Sequence, residues 1–355
     1  MDLFQRSLEI IKAGQDASGA FIACPNFPVY QYSWFRDGSF IAYSMDRSGH
    51  LESAARFHAW AAEAILKRRE VVTSAIRHAR SGLPLGSGDI LHTRYTLDGG
   101  DATKEEWPNF QLDGFGTWLW ALSEHVRTSG HPMPAEWGEA ANLAADYLAT
   151  LWERPCYDCW EEFPQSVHTY TLGAIYGGLT ALDLLTGNDH RSATQMIRAF
   201  LFENAVTDGH FVKSFGRTDV DGSLIGLSVP YGLVPPDDPR MLATIHEIEK
   251  TLRAGGGGVH RYAADTYYGG GEWVLLTAWL GWYYAELGEI QKADALRVWV
   301  EAQVNPQGWL PEQVPDHLID PSYFPTWQER WGEIATPLLW SHAKYLILEC
   351  ALAST

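Results

Sequence analysis

The sequence predicts an all-α fold, a closed toroid of helix hairpins. Apolar residues recur at helical spacing through most of the 355 residues, and few segments alternate with the period of two that marks strands. The helical stretches are joined by loops that alternate between short and long. The long loops return at intervals of about fifty residues, which suits helix pairs packed around a common centre with their functional loops gathered at one end.

The elements follow in order. Residues 3–14 open the chain as an amphipathic helix, and 39–79 carry two more, with Gly49 and His50 as the break between them. Helices over 114–129, 135–152, 169–187 and 189–205 come next, separated by Gly, Pro and Asn-Asp signals. Beyond a polar loop, 239–253, 272–287, 290–303 and 337–353 again space apolar residues at helical intervals. The longer loops are 19–36, 80–111, 154–168, 206–236, 255–271 and 304–335, and they hold nearly all the unusual chemistry. No linker-like stretch divides the chain, so one domain over 1–355 is expected.

Composition narrows the function classes. A hydrophobic content of 46% is ample for a real core, and the formal charge of −18 disfavours nucleic acid and anionic membranes as partners. A neutral ligand is indifferent to that charge. The 16 Trp, 16 Tyr and 14 Phe mostly fill a bulky helical core, while a minority suit the stacking faces of a sugar cleft. Cys156 and Cys159 form a lone CxxC without the second pair or His cluster of a zinc site, so structural thiols and no metal are expected. The N-terminus lacks the basic and apolar regions of a signal peptide, and no run approaches a membrane span. A cytoplasmic protein with reduced thiols is the expectation.

Four loop stretches carry the candidate chemistry. "YQYSWFRDG" sets Tyr30, Tyr32, Trp34, Arg36 and Asp37 at the start of a helix. The Arg-Asp pair reads either as a helix-start ion pair or as a bidentate grip on vicinal sugar hydroxyls. "EEWPNFQLDGFG" offers Trp107, Gln111 and Asp113. "GGGGVHRYAADTYYGGGEW" flanks Arg261, Tyr262 and Asp265 with glycine clusters, but no lysine follows in the order of a phosphate loop. "NPQGWLPEQVPD" carries Glu312 behind Trp309.

A fifth stretch, "WERPCYDCWEEFP", pins Glu161 and Glu162 between Trp160 and Phe163. Splitting a glycosidic bond needs one carboxyl that stays protonated to serve the leaving oxygen, and a second for water or direct attack. Apolar or acidic neighbours raise a carboxyl pKa, and Glu161 has both in its local sequence. Glu312, in another aromatic loop, is a candidate partner. Adjacent residues point apart, so Glu161 and Glu162 should not share one task.

Taken together, these stretches resemble the catalytic domain of glycoside hydrolase family 15, the glucoamylase and glucodextranase family. Tyr30–Asp37 is similar to its Tyr-x-Tyr-x-Trp-x-Arg-Asp, and Trp107–Gly114 to its Trp-x-x-x-Gln-x-Asp-Gly. Trp160–Glu162 matches Trp-Glu-Glu, Arg261–Tyr268 the Arg-Tyr-x-x-Asp-x-Tyr-Tyr loop, and Leu310–Gln313 the Leu-x-Glu-Gln element. Five motifs in the same order, from about residue 20 onward, carry the resemblance.

The resemblance implies an (α/α)6 barrel and an inverting exo-α-glucosidase that releases β-glucose from non-reducing ends. It implies Glu161 as general acid and Glu312 as general base. Arg36, Asp37 and Arg261 would bind glucose hydroxyls, Glu162 the substrate near the cleavage point, and Tyr30 the attacking water. Trp107 would support the acid or line the next subsite, and Trp34 and Tyr262 belong to the same substrate-binding motifs. No cofactor is implied. The chain as read lacks the N-terminal β-sandwich of many bacterial relatives and the starch-binding domain of fungal ones. Short α-linked gluco-oligosaccharides are therefore the expected substrates, with a lean to α-1,6 linkage over α-1,4 or trehalose, and residues 107–111, 163–168 and 316–331 are expected to shape the acceptor-side subsite that sets linkage preference. The rival classes are a sugar epimerase, an uronide hydrolase or a non-catalytic sugar-binding protein on the same toroid. An epimerase typically relies on paired histidines, whereas His168, His210, His260 and His342 are scattered here.

Overall fold

The computed structural model describes residues 2–104, 106–253, 255 and 257–354. Among them are thirteen α-helices. The first seven are α1 (Leu3–Ala13), α2 (Phe35–Arg47), α3 (Leu51–Leu66), α4 (Arg69–Arg80), α5 (Asp113–Ser129), α6 (Ala135–Leu151) and α7 (Thr169–Thr186). The rest are α8 (Arg191–Asn204), α9 (Pro239–Leu252), α10 (Val274–Glu286), α11 (Ile290–Ala302), α12 (Phe324–Trp331) and α13 (Leu339–Leu352).

Two kinds of helix build two rings. In α2 every residue from Phe35 to Asp46 is buried, and in α10 every residue from Val274 to Ala285. A helix covered on every face lies in an inner layer, and α2 carries Arg36, Asp37 and Asp46 inward with it. By contrast α9 buries one stripe, Met241, Thr244, Ile245, Ile248 and Leu252, which is the spacing of an outer helix. The inner ring runs α2, α5, α7, a 3₁₀ segment at Gly222–Leu227, α10 and α13, and α13 packs back on α2 to close it. Outside lie α3, α6, α8, α9, α11 and α1, each against its inner partner. This is an (α/α)6 barrel. At the α5–α7 contact the backbones nearly touch: a Cβ on Gly178 would stand 2.2 Å from the Gly116 carbonyl oxygen.

Three differences from the sequence expectation have local causes. The stretch 39–79 is three helices beginning at Phe35, not two. The unforeseen break falls at Lys67–Arg68, where Arg68 caps α3 by donating to the Ala64 carbonyl (2.7 Å) and reaches the Gly99 carbonyl (2.9 Å). The fourth inner position is the 3₁₀ segment inside the predicted loop 206–236, too short to show a helical period. The predicted loop 304–335 contains α12, whose proline lies in the first turn, where its missing N–H costs nothing.

Short two-residue ladders fix the loops. β1 (Ser33–Trp34) pairs antiparallel with β2 (Arg94–Tyr95), and β3 (Val206–Thr207) with β4 (His210–Phe211). β5 (Glu272–Trp273) pairs with β6 (Gln313–Val314). β1 runs straight into α2 and β5 into α10, so both ladders lie at the end of the barrel where the inner helices begin.

Candidate active site

A cavity opens at that end. It is walled by the segments that precede α2, α5, α7, α10 and α13, and by the start of α2 itself. The structure brings nine of the sequence-selected residues onto this one surface: Tyr30, Trp34, Arg36, Asp37, Trp107, Glu161, Glu162, Arg261 and Glu312. Tyr262 stands one layer back. Its hydroxyl donates to Glu162 Oε2 at 2.5 Å.

Glu161 sits on a strained turn. Its φ is +68°, a left-handed conformation that costs a non-glycine residue about 1–3 kcal/mol. Asp158 holds the turn: its carbonyl accepts the Glu161 N–H (2.9 Å), and its Oδ1 accepts the N–H groups of Trp160 (3.0 Å) and Glu162 (2.9 Å). The result turns the Glu161 carboxyl toward Trp34, whose indole N–H donates to Oε1 at 2.7 Å. Burial raises the Glu161 pKa, against the opposing pull of Arg36 and the Trp34 N–H. The neighbouring Glu162 side chain is 33% exposed and 3.6 Å from Arg261 Nη2, so the two acids do face different surroundings.

Glu312 arrives from the opposite loop. Its N–H donates to the Ala335 carbonyl, its own carbonyl accepts from the Val274 N–H, and β6 begins at the next residue. It is thus tied to the starts of α10 and close to that of α13. Burial pushes its carboxyl up to about 8, with Arg261 and the hydroxyls of Tyr30 and Tyr267 opposing. Those two hydroxyls lie 3.1 Å apart. Oε2 of Glu312 is buried without a protein partner, a state that invites water or a ligand.

Two arginines complete the floor. Arg36 Nη1 donates to Gln111 Oε1 and Asp113 Oδ2, both at 3.0 Å, while its Nε forms an ion pair with Asp37 Oδ1 at 3.5 Å that falls short of hydrogen-bond geometry. Burial raises Asp37 to about 7 despite Arg36. Arg261 is locked by both oxygens of Asp265 and lies among Trp160, Tyr267 and Trp273. Gln111, Asp113 and Asp265 therefore act behind the cavity, orienting the arginines. Orphaned polar atoms beside aromatic walls form a surface suited to a sugar's alternating hydroxyls and apolar faces.

Sequence reasoning missed several contributors. Trp340 of α13 lines the cavity, beside Trp327, Arg330 and Trp331 of α12, which fall within the stretch 316–331 expected to shape the acceptor side. Arg94 lies 3.8 Å from the Trp107 ring centroid and 4.2 Å from that of Tyr32, supporting the wall from behind. Lys213 and Asp221, both buried, anchor the Glu161 turn through Asp158 and Trp160. The available signal was Lys213 itself, a lone charge in the apolar run "FVKSF".

The four cysteines are free, and burial pushes the thiols of Cys156 and Cys159 up, which disfavours the nucleophilic thiolate. Among the described residues the group close enough to share a metal is Asp46, His58 and His125, with ligand atoms within 4.8 Å of one another. It lies toward the far end of α2, away from the cavity, and Asp46 Oδ1 already pairs with His125 Nδ1 at 2.8 Å. Of the glycine run at 255–258, Gly256 lies outside the described residues. A Cβ on Gly258 would stand 2.5 Å from the Trp299 ring, so close packing accounts for that glycine. No described helix is long and apolar enough to cross a membrane.

The sequence matches the family described as "Glycosyl hydrolases family 15" over residues 1–302. The chain belongs to glycoside hydrolase family 15. This family 15 hydrolase is 43% identical over 355 residues to the isomaltose glucohydrolase of Kribbella flavida, spanning 98% of this chain and 91% of that protein. It is 25% identical over 305 residues to trehalase 1 of Sulfolobus acidocaldarius, spanning 79% of this chain and 50% of that protein. A solved wild-type glycosidase superposes with a TM-score of 0.94 at 43% identity, covering 99% of this chain and 96% of the other. A bacterial glucoamylase in complex with acarbose superposes at 0.74 with 20% identity, over 99% and 55% of the two chains, a likeness of fold alone.

Proposed function

We propose that this family 15 hydrolase is an inverting exo-α-glucosidase acting on short α-glucosides, with isomaltose as the preferred type of substrate. The observation that carries the reading is the gathering of two carboxyls, half-buried Glu161 and buried Glu312, from different loops around one cavity lined by aromatic rings and two arginines.

Glu161, protonated, gives its proton to the glycosidic oxygen as the C1–O bond breaks. Glu312, ionised, takes a proton from the water that attacks C1 on the opposite face. One inversion converts an α-glucoside into β-glucose and the free alcohol of the acceptor, with no covalent intermediate. The route requires carboxyls about 6.5–9.5 Å apart to leave room for the water. The hydroxyls of Tyr30 and Tyr267, adjacent to Glu312, orient that water. The terminal glucose lies over Arg36, Asp37 and Arg261, and the acceptor sugar leaves past Glu162 and Trp107. The α-1,6 preference draws on the 43% identical isomaltose glucohydrolase.

A proton NMR time course on a mixture of isomaltose, maltose and trehalose tests the reading. β-Glucose appearing first, with isomaltose consumed fastest, supports it in full. Fastest loss of maltose or trehalose keeps the mechanism and replaces the substrate. α-Glucose appearing first means retention and removes the acid–base assignment.

A further inference from the structure

The cavity floor rests on a buried charge that touches no substrate. Lys213 follows β4 in the loop leading to the 3₁₀ segment, and its side chain is 3% exposed. Its Nζ donates to Asp158 Oδ2 at 2.9 Å and to Asp221 Oδ2. Burial works against the ammonium charge, and the carboxylates of Asp221 and Asp158 outweigh it. The other oxygen of Asp158 holds the N–H groups on either side of Glu161. Asp221 accepts the Trp160 indole N–H at 3.1 and 3.0 Å. The same Nζ lies 4.1 Å from the ring centroid of Tyr262, whose hydroxyl holds Glu162. One cation thus fixes the backbone before and after Glu161 and underlies the partner of Glu162.

We infer that Lys213 is a positioning residue for proton donation: by tying Asp158 to Asp221 it holds the left-handed Glu161 turn where the carboxyl meets the departing oxygen. The reasoning rests on Glu161 being the general acid. A left-handed glutamate relaxes to an ordinary conformation unless its neighbours over-determine it, and the Asp158 clamp is what does so. An ion triad that merely stabilised the core would not need its outer oxygens spent on the two residues beside Glu161. Without Lys213 the two aspartates, buried at 3–4% and 1–2% exposure, repel each other and the clamp opens.

The test uses leaving groups. An alcohol leaving from isomaltose needs a proton, whereas fluoride leaving from α-glucosyl fluoride needs little help. Glu161→Gln and Lys213→Met are compared with the wild-type chain on both substrates, with thermal melts recorded in parallel. Lys213→Met is expected to lose about 10- to 100-fold in kcat on isomaltose with KM within about threefold, and less than about threefold on the fluoride. Equal loss on both substrates, or no loss, overturns the proposal. Glu161→Gln separates the two readings: if it too loses equally on both, the acid assignment itself falls, and if it discriminates while Lys213→Met does not, only the role of Lys213 falls. Should Lys213→Met melt without cooperativity, Asp221→Asn, which weakens the second anchor, is expected to show the same selective loss, and an unselective loss there counts against the proposal.

Discussion

The indole N–H of Trp34 meets Oε1 of Glu161 at 2.7 Å. The Trp34 ring also packs edge-on to Tyr30, with centroids 5.7 Å apart, and the Tyr30 hydroxyl lies 3.1 Å from that of Tyr267 beside Glu312. An aromatic chain therefore runs from one raised carboxyl to the other. It fixes their mutual placement through rigid side chains of few rotamers.

Trp34→Phe tests the first link. An N–H donated to a carboxylate favours its ionised form and lowers its pKa. Removing that donor raises the Glu161 pKa further, so the alkaline limb of kcat/KM is expected to move up by about one pH unit. The rate at the optimum falls by less than about tenfold, since the ring packing is largely kept. A pH profile of the variant reads both numbers, and an unmoved alkaline limb would show that the contact does not bear on the acid.

Glu161→Gln and Glu312→Gln each remove a proton-transfer group while keeping shape. Each is expected to lower kcat on the disaccharide by roughly 10³-fold, within the range for general acid or base removal. Glucose affinity, read by calorimetry, should change little because Arg36, Asp37 and Arg261 are untouched. Full activity in either variant rejects its assigned role.

The pH dependence has a definite direction. Below the Glu312 pKa the base is protonated and cannot accept a proton, so activity rises as pH climbs. Above the Glu161 pKa the acid has no proton to give, so activity falls. Burial raises both groups, Glu312 to about 8, and the limbs of such a site belong to the pair as a whole. The optimum is expected at or above neutral pH, where Glu312 ionises, and well above the value of about 4 that an unperturbed carboxyl pair gives. An optimum at or below pH 4.5, or a flat profile from pH 4 to 8, runs against the site as described.

The sequence showed the outer design more readily than its supports. Periodicity located the long inner and outer helices because a buried or half-buried α-helix must repeat its apolar residues. It could not show the fourth inner element, since Gly222–Leu227 is shorter than two turns of an α-helix. The motif residues were legible because their types are demanded by sugar and proton chemistry: acids among aromatics, an Arg beside an Asp. The partners of Lys213, Asp221 and Arg94 were not legible, even where the lone charge of Lys213 stood out, because Asp158, Trp160 and Trp107 lie 55, 61 and 13 positions away respectively. Such partnerships exist only after the loops are gathered at one end of the barrel. The stretch 316–331 was legible as a wall of the acceptor side, but its helix was not: α12 buries no residue fully, so it has no apolar stripe to read.

Lys344 gives a prediction about stability rather than catalysis. It is fully buried on α13, its Nζ has no hydrogen-bond partner, and it lies 3.4 Å from the Phe40 ring centroid and 3.2 Å from that of Trp279. Burial drives its pKa well below the ordinary lysine value. The sign follows from proton counts. Near pH 11 and above, both folded and unfolded chains hold a neutral amine, and the group is indifferent. As pH falls below the unfolded lysine pKa of about 10.4, the unfolded chain takes up a proton that the folded one refuses, so stability is lost on going down in pH. Lys344→Met keeps the length and apolar stem without the amine. It is expected to raise stability at pH 7 by about 1–3 kcal/mol, the range for relieving an unsatisfied buried polar group, with the gain shrinking as pH is raised toward 10. Urea unfolding at pH 6, 8 and 10 measures the trend. A variant less stable than the wild-type chain at pH 6 would mean that the rings of Phe40 and Trp279 hold a charged ammonium, with the cation–π attraction outweighing the cost of burial.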